Sequence, residues 1–110
     1  MQIERNRKLI TCILPAGVAD EVVRRLESEL GIIEAGVSKA RGMGHLTPRR
    51  YGAGVETEKE ILTVVVPEAQ ADDLFRFLFD AARIDRPHGG IMFMNPLMQA
   101  TQFELPKIEE

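Results

Sequence analysis

The chain has 110 residues, 45% of them hydrophobic and 28% charged, with a net charge of −3 at pH 7. That length suits one domain whose core removes roughly two-thirds of the unfolded surface from water, and the acidic balance excludes a general nucleic-acid binder, which needs a dominant basic footprint. The longest apolar run is too short to span a bilayer, the amino terminus MQIERNRK carries no hydrophobic signal region, and a single cysteine, Cys12, excludes an intramolecular disulfide and points to the cytoplasm.

Residues 8–14 (KLITCIL) read as a strand, rich in β-branched and apolar side chains and ended by Pro15, Ala16 and Gly17. Cys12 inside that pattern reads as a buried, inert thiol. A helix follows over 19–30, where Val18, Val22, Val23, Leu26 and Leu30 form one apolar stripe. Asp20 and Glu21 suit its first turn and Gly31 its end. Residues 32–40 form a second, more polar strand.

Residues 39–54, KARGMGHLTPRRYGAG, then break the pattern. This stretch holds four glycines, one proline and four cations (Lys39, Arg41, Arg49, Arg50), and no carboxylate in an acidic chain. A long loop of one charge sign on a compact scaffold suits contact with a ligand or a partner, although a solvated basic connection has the same composition.

After the loop, 60–66 (EILTVVV) is the strongest strand signal in the chain. Pro67 ends it, and an amphipathic helix over 68–83 turns Ala71, Leu74, Phe75, Leu78 and Ala82 inward. Residues 83–90 (RIDRPHGG) are a turn-rich connection. Residues 91–94 form a fourth strand interrupted by Asn95 and Pro96, before a polar tail. The order β-α-β-loop-β-α-β predicts an α+β fold: a ferredoxin-like sandwich with a four-stranded antiparallel sheet and two helices on one face.

Helices on one face leave the other face to solvent, where polar residues should alternate with apolar ones. ILTVVV, LITCIL and IMFM do not alternate convincingly. The second face therefore needs a cover, and another copy of the chain is the simplest one.

Three segments together resemble the P-II signal-transduction family of nitrogen-regulatory proteins. GIIEAGVSKARGMG at 31–44 is similar to that family's second strand running into the Gly-x-Gly at the base of its T-loop. RRYGAG at 49–54 is similar to part of the Tyr-basic-Gly-Ala segment within that loop, and 59–96 to its third strand, second helix, B-loop and fourth strand. The resemblance covers about 8–103 and rests on the order and spacing of all three. It implies a single domain over 1–110, with a T-loop at about 42–55, a B-loop at about 83–90 and a flexible tail at about 104–110. It further implies a non-enzymatic homotrimer with effector sites in inter-subunit clefts. The effector would be an adenine nucleotide (ATP, ADP or AMP) or another anion, and the T-loop would dock on a protein partner, a membrane transporter being the first guess.

The sequence also departs from the family pattern. Pro87, His88, Gly89 and Gly90 stand where the family has Gly-Asp-Gly-Lys, and Leu46 stands at the position of the glutamine that follows Gly-x-Gly. Thr101 and Phe103 replace two late arginines. These changes speak against Mg-ATP with 2-oxoglutarate as the signal.

The candidate ligand-binding residues are Lys39, Arg41, Gly42, Met43, Gly44 and His45 at the loop base, and Arg86, His88, Gly89 and Gly90 on the 83–90 connection. Glycine lets backbone N–H groups approach an anion and the cations add charge; each segment is equally readable as a plain turn. Arg49, Arg50 and Tyr51 suit partner docking, because arginine and tyrosine anchor interfaces. No metal site is expected, with no Cys-x-x-Cys and no third ligand beside His45 and His88. The alternatives are a ferredoxin-like trimer that binds metal ions and a small oligomeric enzyme using His45 or His88. RNA recognition would require exposed aromatics on the central strands, and these strands are aliphatic.

Overall fold

The computed structural model describes the backbone of residues 1–43 and 56–101 and the side chains of 1–40 and 58–101. Its elements are β1 (Ile3–Glu4), β2 (Arg7–Pro15), α1 (Ala19–Leu30), β3 (Ala35–Met43), β4 (Glu56–Pro67), α2 (Glu68–Ala81), β5 (Ile91–Leu97) and β6 (Ala100–Thr101). Four strands form one sheet in the order β3-β4-β2-β5 with every neighbouring pair antiparallel, and β1 and β6 form a separate small ribbon. The expected ferredoxin-like arrangement is thus present.

Strand periodicity decides which side chains reach the helices. On β2, Ile10, Cys12 and Leu14 are fully enclosed, and on β4 so are Leu62, Val64 and Val66 to within 2% exposure. The register pairs Cys12 with Leu62 and Ile10 with Val64, so these side chains make one continuous layer. Ala19, Val22 and Leu26 of α1, Ala71, Leu74 and Leu78 of α2, and Ala82 just beyond it close the core from the other side. Each helical set recurs at three and four residues, the spacing that keeps side chains on one face.

Several expected boundaries move. The second strand begins at Ala35 and runs on to Met43, and the third begins at Glu56, because ladder pairing continues from Lys39–Glu60 out to Met43–Glu56. Polar side chains there hide the strand from hydrophobic patterning, which reads side chains while the ladder uses backbone. The fourth strand continues through Asn95 and Pro96 to Leu97. Because β5 is an edge strand, a proline without N–H can sit there with its missing donor facing outward. Helix α2 stops at Ala81, two residues before its expected end, and Arg83 takes a left-handed φ of 57°.

Helix ends are satisfied in unlike ways. Gly31 closes α1 in the left-handed conformation, its N–H donating to Glu27 O and that of Ile32 to Leu26 O. Helix α2 follows Pro67 with no intervening loop, and the Glu68 N–H donates to Asn6 O at 2.8 Å.

The sheet face away from the helices carries Leu9, Thr11 and Ile13 on β2 and Ile61, Thr63 and Val65 on β4, all half-buried at most. Ile91 and Phe93 of β5 extend it and are 64% and 43% exposed. Ile13 pairs with both Ile61 and Ile91, so the apolar residues are contiguous across three strands.

Candidate functional site

Antiparallel pairing brings three segments to one end of the sheet. Gly90 precedes Ile91, which pairs with Ile13 near the end of β2; Leu14 pairs with Glu60; and Glu60 pairs with Lys39 on β3. The 83–90 connection, the turn after Pro15 and the strand stem of the basic loop therefore share an edge. They do not meet in one place. Lys39 lies on one outer strand and Gly90 leads into the other, three strand spacings away, or about 14 Å at ~4.8 Å per spacing.

Lys39 keeps 71% of its side chain exposed, and its Nζ lies 3.8 Å from Glu58 Oε1. At that distance and exposure the pair is weak, which leaves the ammonium available to an incoming anion. Arg41, Gly42 and Met43 continue β3 opposite Glu58, Thr57 and Glu56. Gly42 is therefore a ladder residue, and the tight-turn reading of Gly42-x-Gly44 does not hold at its first position. Gly44, His45, Arg49, Arg50 and Tyr51 lie outside the described residues.

The 83–90 connection is built from stacked turns. The Ile84 N–H donates to Phe79 O, the Arg86 N–H to Arg83 O and the Gly89 N–H to Arg86 O. Both glycines have packing reasons to be glycine. A methyl group at position 89 would sit 2.5 Å from Arg83 O. At position 90, where φ is +116°, it would overlap the carbonyl oxygen of Ile13. Arg83, Arg86 and His88 point into solvent, and no ion pair holds them among the described residues. His88 also takes a left-handed φ, 58°. Arg83 and Arg86 flank the exposed Asp85, so the turn carries a small excess of positive charge that can attract an anion.

Glu60 was legible only as the first residue of a strand, yet it is the buried charged side chain among the described residues, at 6% exposure. The signal was its period-two spacing from Leu62, Val64 and Val66, which places it on the core face. Its Oε1 accepts hydrogen bonds from the N–H of Gly17 at 2.9 Å and of Ala19 at 3.0 Å. Cys12, in contrast, offers no chemistry: burial pushes its thiol up to about 11. Among the described residues no three His, Cys, Asp or Glu side chains gather closely enough to hold a metal ion, and no helix is long and apolar enough to cross a membrane.

A family model described as Nitrogen regulatory protein P-II matches residues 7–104. Among solved structures, that of Arabidopsis thaliana PII bound to citrate is similar at a TM-score of 0.67 and 20% sequence identity, covering 86% of this chain and 80% of that one. No curated protein matches the chain.

Proposed function

The chain belongs to the nitrogen regulatory protein P-II family, and we propose that it is a non-enzymatic cytoplasmic regulator binding a small anion between the subunits of a homotrimer. The observation that carries this reading is the separation of its two cationic segments. Lys39 stands on one edge strand, and the connection carrying Arg86 and His88 leads into the opposite edge strand at the same end of the sheet. A ligand of nucleotide size reaches both sets of charges more readily when they come from neighbouring copies. The contiguous apolar face supports the assembly, because a patch that includes Ile13, Ile61, Ile91 and Phe93 gains by being covered.

The effector class is an adenine nucleotide (ATP, ADP or AMP) or another cytosolic anion. Binding at the loop base favours one conformation of the 44–55 segment by differential affinity, and Arg49, Arg50 and Tyr51 present that state to a protein partner. A membrane transporter with an acidic cytoplasmic surface fits those side chains.

The test is calorimetric titration with ATP, ADP, AMP, cyclic AMP, bicarbonate and citrate. At least one is expected to bind, and Lys39→Ala and Arg86→Ala are each expected to weaken it about tenfold, or ~1.4 kcal/mol. Mixed trimers of the two variants are expected to regain strong sites, because some clefts then combine an intact Lys39 with an intact Arg86. Silence toward all six anions removes the effector reading, and failed complementation removes the inter-subunit cleft.

A further inference from the structure

We infer that Glu60 is a positioning residue for the effector site, tying the turn between β2 and α1 to the strand that stands opposite Lys39. This rests on the effector reading above.

A carboxylate on the core face of a strand is costly unless hydrogen bonds replace its water. Glu60 meets that need with the two N–H groups of Gly17 and Ala19, which lie 43 and 41 residues away in sequence. Those groups open α1, whose N-cap residue, Val18, has no side-chain oxygen to offer them. The cap therefore comes from another element. A side chain at position 18 could not replace it, because an N-cap oxygen reaches the N–H of Asp20 or Glu21 rather than those of Gly17 and Ala19, and Val18 lies in the αR region. With Glu60 as the cap, the turn is fixed to the sheet at the level of Lys39.

The turn is also the midpoint of the candidate site. On one side Gly90 packs on the Ile13 carbonyl, two residues before Pro15; on the other, Glu60 and Lys39 are direct ladder partners. Movement of the turn would shift β2 against β4, and with it the spacing of the two cationic segments. The carboxylate also lies at the positive end of α1, where a negative charge is favoured.

Three variants decide the matter, read by amide exchange and by calorimetry with ATP on the full chain. Glu60→Ala is expected to speed exchange at Gly17 and Ala19 about tenfold or more, to leave Leu62 and Val64 near wild type, and to weaken ATP about tenfold. Glu60→Gln keeps an acceptor oxygen and is expected to hold affinity within about threefold. The double variant Val18→Asp, Glu60→Ala returns a carboxylate to the positive end of α1 without the tether. It is expected to recover thermal stability without recovering ATP affinity. Recovery of both in the double variant, or unchanged Gly17 and Ala19 exchange in Glu60→Ala, overturns the positioning role. A wild-type chain blind to ATP, ADP and AMP alike instead overturns the nucleotide reading, and this inference with it.

Discussion

Cys12 and Gly90 show how one residue's surroundings override what its type suggests. The Cys12 side chain is fully enclosed, and desolvation holds its pKa near 11 against an ordinary 9.0. The folded chain therefore keeps the thiol proton over a pH range in which the unfolded chain loses it. Stability is fully present below pH 9 and falls as pH rises toward 11, by about 1.4 kcal/mol per unit and about 2–3 kcal/mol in all. Urea titrations between pH 8 and 11 should show that slope in the native chain and a shallower one in Cys12→Ala. Equal slopes would mean the thiol ionises freely in the fold. Gly90 has a different constraint, since a side chain there faces both a φ of +116° and the Ile13 carbonyl. Gly90→Ala is expected to cost at least about 3 kcal/mol. Gly17→Ala, at φ +89° with open space around it, should cost about 1 kcal/mol. Comparable melting losses in the two variants would count against the close approach. A Gly-Gly pair before a strand suggested a ligand-binding turn in the sequence. The carbonyl that forbids a side chain at position 90 belongs to a strand far away in the chain, and only the β2–β5 register reveals it.

At the level of elements, strands and helices were legible wherever their apolar pattern was strong. Residues 8–14 and 19–30 needed little revision, and 60–66 is the core of a strand that begins four residues earlier at Glu56. The stem of the basic loop was not legible, because Arg41, Gly42, Thr57 and Glu58 pair through backbone and carry no hydrophobic signal. The capping of α1 by Glu60 was hidden for a related reason, since a sequence displays local caps and not those delivered from another strand. The stripe on α1 also merged residues of unequal weight. Leu26 is fully enclosed, whereas Leu30 at the same helix's end is 46% exposed. Leu26→Ala is expected to cost about 2–5 kcal/mol and Leu30→Ala under about 1 kcal/mol in denaturant unfolding. Similar costs would mean that Leu30 is covered in the native protein, by the assembly or by a segment outside the described residues.

Assembly is a property of the whole molecule, and here the sequence supplied an imbalance without a count. Apolar side chains on both faces of β2, β4 and β5 indicated a missing cover, and the fold gathers them into one face running from Val65 through Ile13 to Phe93. Neither the pattern nor a single chain fixes the number of copies; the P-II family relationship is what points to three. Phe93 is the sharpest probe, since it is 43% exposed in one chain and contributes little to that chain's own core. Native mass spectrometry of the wild type is expected to show three chains. Phe93→Lys should shift the population toward single chains, because burying an unpaired ammonium in an apolar interface costs several kcal/mol. The same variant should keep its far-ultraviolet circular dichroism. It should also lose anion binding as it loses assembly, since Lys39 stands on one edge strand and the connection carrying Arg86 leads into the other. A dissociated Phe93→Lys chain that still bound ATP at wild-type strength would place the site within one subunit. A wild type found only as single chains would leave the exposed face without a purpose and remove the inter-subunit site altogether.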